Sequence, residues 1–370
     1  MKILIIGGTG VLSYDFTKLI IENNHEIYLL NRGKTSLDFV SKCKLIYADI
    51  RNENIDSLRT KICSDKYDVV VDFLSYDSRQ VEKIINVISG CYKKYVFIST
   101  AMVCSGNSEK GLIDESSITE KGRWEYADKK IEAENYVKEN VDNYYIIRPY
   151  ITYGKTRIPY PMSPDKYYYT LIKRIKDEMP IPLLNGGKTL CTLTNTKDFA
   201  NILYGLISLD KNNREIYNIV SDDVVSWKEI YDCICDILGV RHNMFSMTED
   251  EVKRFLPEYY DSLKCGKGID FVVSGKKAYD ALESYECKVS MRQGIRESVQ
   301  FYLDNIEYQG IDFRWDGRID YAYRKINHKV CKFYPTKGNK DKSTNIWAYY
   351  FMQNSLLRKI YKILKKSAYE

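Results

Sequence analysis

The sequence has few of the residues that build metal sites. Its 370 residues include only three histidines, and none of its ten cysteines forms a CxxC pair or follows the spacing of zinc ligands. We therefore expect no metal centre. The cysteines stand at positions 43, 63, 91, 104, 191, 233, 235, 265, 287 and 331.

Long apolar runs are also missing. The first apolar stretch, residues 3–6, is too short for the hydrophobic region of a secretion signal, and no small-residue cleavage site follows it. No other segment reaches the ~18 consecutive apolar residues of a membrane span. We expect a cytoplasmic protein, in a compartment where cysteine thiols stay reduced.

The positive charge is concentrated at one end of the chain. Residues 311–370 contain 14 Lys and Arg against 5 Asp and Glu, so the basic character belongs to this tail. We expect no DNA partner. A hydrophobic fraction of 44% beside 29% charged residues indicates an ordinary globular fold.

Short apolar runs alternate with helical patterns over the first 150 residues. Residues 2–6 predict a buried strand, residues 11–22 repeat apolar side chains at helical spacing, and residues 26–30 predict a second strand. This alternation predicts an α/β fold, a Rossmann-type doubly wound parallel sheet. Further strands are predicted at residues 45–47, 69–73, 95–98 and 144–147.

The pattern changes after Arg148, where prolines and tyrosines become frequent. We predict a dinucleotide-binding domain over residues 1–150, to which segments near 190–222 return. A smaller, interleaved substrate-binding region is expected over residues 151–308. A basic, Tyr-rich C-terminal extension follows over residues 309–370, with a last helix from about residue 345 to residue 366.

A glycine-rich turn joins the first predicted strand to the first helix. Backbone N–H groups and the positive end of the helix can hold a pyrophosphate there, although an ordinary tight turn is the alternative. Ser13 stands where the third glycine of a dinucleotide motif is usual. The residues predicted to bind the cofactor in this turn are Gly7, Thr9, Gly10, Val11 and Leu12.

The end of the second strand bears on the choice of dinucleotide. NAD enzymes usually present a carboxylate to the ribose 2′-hydroxyl at this point, whereas this chain has Asn31 and Arg32. A guanidinium suits a 2′-phosphate, so we favour NADP, with NAD as the alternative. Arg32 stacked on adenine or lying in solvent is the other interpretation.

Tyr126 and Lys130 share one face of a predicted helix, four residues apart. A phenol with a pKa of about 10 is a poor base, and a nearby ammonium favours its ionised form. Tyr126 would then exchange a proton with a substrate hydroxyl or carbonyl while hydride moves to or from a nicotinamide. Thr100, 26 residues earlier, follows a strand and would present a hydroxyl at the same sheet edge.

In these features the chain resembles the extended short-chain dehydrogenase/reductases, which include UDP-galactose 4-epimerase and other nucleotide-sugar epimerases, reductases and dehydratases. The resemblance covers about residues 1–305. It implies that Thr100, Tyr126 and Lys130 are catalytic. It also implies cofactor contacts at Asp49, Ile50, Phe73, Leu74, Ser75, Tyr126, Lys130, Pro149 and Tyr150.

Departures from the family pattern narrow the reaction. Ala101 and Met102 replace the acidic pair of the 4,6-dehydratases, so dehydration is disfavoured. Ile151 and Cys191 replace an asparagine and an arginine that hold UDP-sugars, and Lys188 is a substitute cation. The resemblance suggests a substrate-binding set of Tyr76, Met102, Cys104, Tyr153 and Lys188.

Two hypotheses follow for function. The first is an NAD(P)-dependent reductase or epimerase of a nucleotide-activated sugar, acting at a ring carbon, C4 being favoured, in polysaccharide biosynthesis. The second is a non-catalytic NADP-binding or RNA-associated protein on the same fold. We expect a homodimer, and the last helix either docks on the protein's own core or a dimer partner, or contacts a membrane surface.

Overall fold

A computed structural model describes residues 1–33, 39–209, 213–283, 285–328, 335–354 and 357–358. The chain divides into two units. The first unit comprises Met1–Gly154, Cys191–Val224 and Asp270–Ser290, and the second comprises Lys155–Leu190, Val225–Ile269 and Met291–Glu370.

The described residues contain strands and helices in alternation. The strands are β1 (Lys2–Ile6), β2 (Glu26–Asn31), β3 (Lys44–Tyr47), β4 (Tyr67–Asp72), β5 (Tyr92–Ile98), β6 (Tyr144–Pro149), β7 (Ile151–Tyr153), β8 (Ile181–Leu184), β9 (Leu190–Asn195), β10 (Arg214–Ile219), β11 (Val224–Ser226) and β12 (Met244–Met247). The helices are α1 (Val11–Glu22), α2 (Ile55–Ile62), α3 (Ser78–Ile88), α4 (Glu125–Asn140), α5 (Tyr169–Lys176), α6 (Thr196–Ser208), α7 (Trp227–Leu238), α8 (Glu249–Phe255), α9 (Tyr260–Ser262), α10 (Lys276–Ala281), α11 (Met291–Asp304), α12 (Phe313–Asn327) and α13 (Trp347–Gln353).

The first unit is built on a sheet of seven parallel strands in the order β10-β6-β5-β4-β1-β2-β3. The chain runs outward from β1 through β2 to β3, then returns to pair β4 with the other side of β1. This arrangement confirms the predicted Rossmann-type α/β fold. The reversal of strand order between β1 and β4 opens a crevice at their carboxyl ends, where such sheets bind ligands.

Both faces of the sheet are covered, which explains why β1 is apolar at successive positions. Ile3 and Ile5 belong to the apolar core on the face of α1 and α6. Leu4 and Ile6 belong to the core on the opposite face, which contains side chains of α2, α3 and α4. All four side chains are fully buried. Because neighbouring residues of a strand point to opposite faces, a run of four apolar residues is needed here.

The expectation of reduced thiols is wrong for one cysteine pair. Cys63, at the end of α2, and Cys91, just before β5, form a disulfide with a Cα–Cα distance of 5.7 Å. The two residues are 28 positions apart, so no local spacing signals the bond. The fold brings them together at the amino-terminal edge of the sheet.

The C-terminal extension belongs to the second unit and is anchored there by buried charges. Arg174 of α5 forms ion pairs with Asp316 and Asp320 of α12, and all three side chains are fully buried. The hydroxyl of Tyr349 in α13 donates a 2.6 Å hydrogen bond to Asp320. The extension therefore contributes to the interior of this unit.

The predicted last helix is interrupted at Asn354. Its first part, α13, begins at Trp347 and ends at Gln353, because Asn354 has an extended backbone with φ −102° and ψ 123°. Residues 357–358 are helical again, and residues 355–356 and 359–366 of the prediction lie outside the described residues. Within the described ranges, no helix has the length and hydrophobicity needed to cross a membrane.

Candidate functional site

The turn after β1 is held by hydrogen bonds within it. The hydroxyl of Ser13 donates to the carbonyl oxygen of Gly7 at 2.8 Å and accepts from the backbone N–H of Gly10 at 2.9 Å. Gly7 has φ +84°, and a Cβ atom there would lie 2.3 Å from Leu74 Cγ. Ser13 therefore does more than tolerate the position of the third glycine, because it fixes the shape of the turn.

A cavity of about 320 Å³ opens beside this turn in the first unit. Its lining joins the ends of β1, β2 and β3 with the loop after β4. Eight of its residues were predicted cofactor contacts, while Ala48 and Arg51 were missed, although they directly flank the predicted Asp49 and Ile50. The lining consists of Gly7, Thr9, Gly10, Asn31, Arg32, Ala48, Asp49, Ile50, Arg51 and Leu74.

At the far end of the cavity, two polar side chains accept hydrogen bonds from nearby groups and a third is exposed. The side-chain oxygen of Asn31 accepts from the backbone N–H of Gly33 at 2.8 Å. Asp49 accepts from the N–H of Arg51 and from the amide of Asn52, and these bonds lower the pKa of its carboxyl. Arg32 is exposed at the rim of the cavity. The cavity thus presents guanidinium groups as well as a carboxylate.

The loop after β4 is fixed by buried Asp72. Its carboxylate accepts from the backbone N–H groups of Leu74 and Ser75, both at 2.9 Å, and from the hydroxyl of Tyr95 at 2.8 Å. The buried hydroxyl of Ser75 has no hydrogen-bond partner in the described part of the chain. Two features fit a bound dinucleotide. One is the close approach of the turn to Leu74 at Gly7, and the other is the buried hydroxyl of Ser75, which could bond to a ligand.

Lys130 of α4 reaches into the sheet edge. Its ammonium donates to the carbonyl oxygens of Ser75 and Ile98, each at 2.9 Å, and lies 4.6 Å from the centre of the Phe97 ring. Burial lowers the pKa of Lys130 to about 8, although Asp72 and other nearby carboxylates act in the opposite direction. The ammonium is therefore the main form at neutral pH, within a buried and apolar setting.

Tyr126 lies one helical turn before Lys130 and is partly exposed. Its ring is in contact with two other aromatic rings, those of Trp124 at 4.8 Å and Tyr76 at 5.7 Å between centroids. Tyr76 was a predicted substrate contact, whereas Trp124 was missed. The position of Trp124, two residues before Tyr126, was the available signal.

Thr100 follows β5, two residues after the carbonyl that Lys130 binds. It is buried and caps the 3-10 segment Ala101–Lys110, since its hydroxyl accepts from the N–H of Met102 at 3.3 Å. Thr100 and Lys130 are thus at the same edge of the sheet. Cys104, in that segment, is buried, and burial raises the pKa of its thiol to about 11. A thiol in that setting is a poor nucleophile.

The other predicted residues lie in varied surroundings. Val11 and Leu12 begin α1, and Phe73 packs against Phe16 at the base of the cavity loop. Pro149 ends β6, and the ring of the buried Tyr150 packs against that of Phe271 with 4.7 Å between centroids. These five do not line the cavity of about 320 Å³. Tyr153 is buried in β7 of the first unit, and Lys188 is exposed in the second.

The parallel sheet, the glycine turn and the cavity define a Rossmann-type α/β protein. A model of the NAD dependent epimerase/dehydratase family matches residues 3–220, more than half of the chain, and the chain belongs to this family. This confirms the resemblance found in the sequence and the expectation of an enzyme that uses a nicotinamide dinucleotide.

Solved structures share this fold, and a curated relative is similar in sequence. UDP-glucuronic acid 4-epimerase from Bacillus cereus, in complex with NAD, matches with a TM-score of 0.64 and 18% identity over 82% of this chain and 99% of that chain. dTDP-glucose 4,6-dehydratase from Bacillus anthracis, also in complex with NAD, matches with a TM-score of 0.66 and 18% identity over 83% of this chain and 98% of that chain. The chloroplast stem-loop binding protein of 41 kDa b from Arabidopsis thaliana is 24% identical over 273 residues, 70% of this chain and 67% of the relative.

Proposed function

We propose that this protein is an NAD(P)-dependent reductase or epimerase of a nucleotide-activated sugar, with hydride transfer at a ring carbon, C4. The observation that carries the proposal is the buried ammonium of Lys130, held by two carbonyl oxygens one helical turn from Tyr126. Family membership supports it. So does the fold shared with a 4-epimerase solved with UDP-glucuronic acid and NAD.

Lys130, Tyr126 and Thr100 have different roles in the proposed reaction. Lys130 favours the phenolate of Tyr126 electrostatically, and Tyr126 exchanges a proton with the reacting sugar oxygen. Thr100 donates a hydrogen bond to that same oxygen. A bound nicotinamide dinucleotide supplies or accepts the hydride. Ala101 and Met102 offer no acid or base for elimination of water, which favours reduction or epimerisation over dehydration.

The cavity beside the glycine turn would hold the dinucleotide. The N–H groups at Gly7 to Leu12 would bind the pyrophosphate, Asp49 and Ile50 would bind adenine, and the loop at Ser75 would bind the ribose. We favour NADP, because Arg32 and the newly found Arg51 supply guanidinium groups where a 2′-phosphate would lie. NAD is the alternative, and the solved relatives contain NAD.

The sugar would be recognised by residues around the catalytic face. Tyr76, Met102, Cys104 and Tyr153 belong to the first unit, and Lys188 to the second. We keep the proposal that residues 151–308 supply much of the substrate-binding region. The homodimer and a membrane contact through the last helix also stay proposals, the latter supported by exposed Trp347 and Tyr350.

Turnover with defined substrates tests this function. Purified protein is incubated with NADPH and a panel of nucleotide-4-ketosugars, and with NAD⁺ and the matching hydroxy sugars, following absorbance and product stereochemistry. We expect turnover by wild type and a loss of at least about 100-fold in Tyr126→Phe, since general acid–base groups contribute about 10² to 10⁴. An inactive wild type across the panel would overturn the proposal.

A second candidate function is RNA binding, favoured by the similarity to a stem-loop binding protein. It predicts submicromolar binding of a stem-loop RNA, with a strong dependence on salt. The same binding in Tyr126→Phe, together with an inactive wild type, would favour this function over the enzymatic one.

A further inference from the structure

A buried ion pair lies directly behind the catalytic residues. Glu134 follows Lys130 by one turn of α4 and is fully buried, as is Arg148 at the end of β6. The Glu134 carboxylate accepts from Arg148 Nε at 2.9 Å and Nη2 at 2.6 Å, and from the hydroxyl of Ser99 at 2.6 Å. The pair is thus bidentate, with a third bond from the strand that leads to Thr100.

These bonds connect three elements that carry the site. Glu134 belongs to the helix of Tyr126 and Lys130, Ser99 directly precedes Thr100, and Arg148 lies one residue before the end of β6. A well-packed apolar set of the same volume is often as stable as a buried ion pair. Stability alone therefore does not explain why the pair is charged. Its directional hydrogen bonds, however, fix α4 relative to the ends of β5 and β6.

We propose that Glu134 is a positioning residue for the reaction: its bonds to Ser99 and Arg148 fix Lys130 and Thr100, and its negative charge stabilises the Lys130 ammonium. The inference rests on the proposed function, because it assigns Glu134 a role in that chemistry. Glu134 itself does not touch the substrate.

The electrostatic part of the proposal depends on all charges near the two groups. Lys130 is influenced by Asp72 of β4, Asp77 before α3 and Glu134 of its own helix, all of which raise its pKa against the effect of burial. Glu134 in turn faces Arg148 and Lys138, the latter at 3.5 Å. Burial opposes ionisation of Glu134, but the bonds from Arg148 outweigh it and lower the pKa of this carboxyl.

The test compares a variant that removes the negative charge of Glu134 with one that keeps it. Glu134→Gln removes the charge, Glu134→Asp keeps it, and Lys138→Met removes the half-exposed neighbour as a matched control. The double variant Glu134→Gln with Arg148→Met avoids an unpaired buried guanidinium if the single variant fails to fold. The pKa of Lys130 is measured by NMR of ¹⁵N-labelled lysine, and kcat/KM is measured against pH.

In Glu134→Gln, we expect the Lys130 pKa and the high-pH limb of kcat/KM to move down by about one unit. In the double variant, which also loses the positive charge of Arg148, we expect a smaller shift in the same direction. We expect kcat to fall by about 10- to 100-fold. Glu134→Asp and Lys138→Met should keep the wild-type pKa and limb. An unchanged Lys130 pKa in Glu134→Gln overturns the proposal, even with reduced thermal stability. Since NMR needs no turnover, this result is distinct from failure of the proposed enzymatic activity.

Discussion

Gly7 and Leu74 approach so closely that a Cβ atom on Gly7 would lie 2.3 Å from Leu74 Cγ. The contact joins the turn after β1 to the loop after β4, at the point where the strand order of the sheet reverses. A side chain at position 7 would displace the Leu74 side chain, which lines the same cavity.

Gly7→Ala is therefore expected to raise the Kd for NADPH by at least about 10-fold, a loss of about 1.4 kcal/mol. Gly90→Ala is the matched control, since Gly90 has a similar φ of +78° but no atom within 4 Å of a new Cβ. The measurement is a fluorescence titration of both variants. Equal loss of affinity in both would show that backbone strain, and not the contact with Leu74, limits binding.

Arg32 should decide between the two dinucleotides. Arg32→Ser is expected to raise the Kd for NADPH by about 10-fold or more and to leave the Kd for NADH unchanged, because a charge-assisted hydrogen bond contributes about 1.5 to 3 kcal/mol. Arg214→Ser, at an exposed arginine on β10, should change neither value. Tighter binding of NADH than of NADPH by wild type would contradict the preference for NADP.

The pKa of Lys130 predicts how stability depends on pH. The unfolded chain holds this proton up to about 10.5, whereas the folded protein releases it at about 8. Below pH 8 the buried ammonium lowers the free energy of unfolding by at most about 3 kcal/mol. This destabilisation decreases as the pH rises from 8 to 10.5. Wild type should therefore gain stability relative to Lys130→Met across that interval.

Urea denaturation at pH 7, 8, 9 and 10 measures this difference, with Lys138→Met as a control that should show no such trend. A constant difference between wild type and Lys130→Met would mean that the pKa of Lys130 is not lowered by folding.

Trp124 should act through the ring of Tyr126, against which it packs at 4.8 Å. Removing the indole frees the phenol to adopt other orientations, so Trp124→Ala is expected to lower kcat by about 10-fold and leave the Kd for NADPH unchanged. Trp347→Ala, at a tryptophan 73% exposed on α13, serves as the control. Steady-state kinetics on the substrate identified from the panel check this, and an unchanged kcat would contradict it.

Several elements of the fold could be predicted because the residues that signal each of them lie close together in the sequence. The apolar run of β1, the helical period of α1 and the glycines between them lie within 22 residues, and the structure has all three at the predicted place. The strand predicted over residues 26–30 is β2. Arg51 and Trp124 were missed although each lies within two residues of a predicted site residue. The Cys63–Cys91 disulfide was missed because only the fold brings its two residues together.

The sequence by itself determined the fold class, the family, the turn that faces the dinucleotide cavity and the spacing of Tyr126 and Lys130, because these depend on periodicity and on residues a few positions apart. Only the tertiary structure decided which carbonyls hold the Lys130 ammonium and how Glu134 meets Arg148. It also decided that the C-terminal extension is anchored through Arg174. Those contacts join segments far apart in the chain, and burial makes each of them necessary, since a buried charge must find a partner wherever the fold provides one.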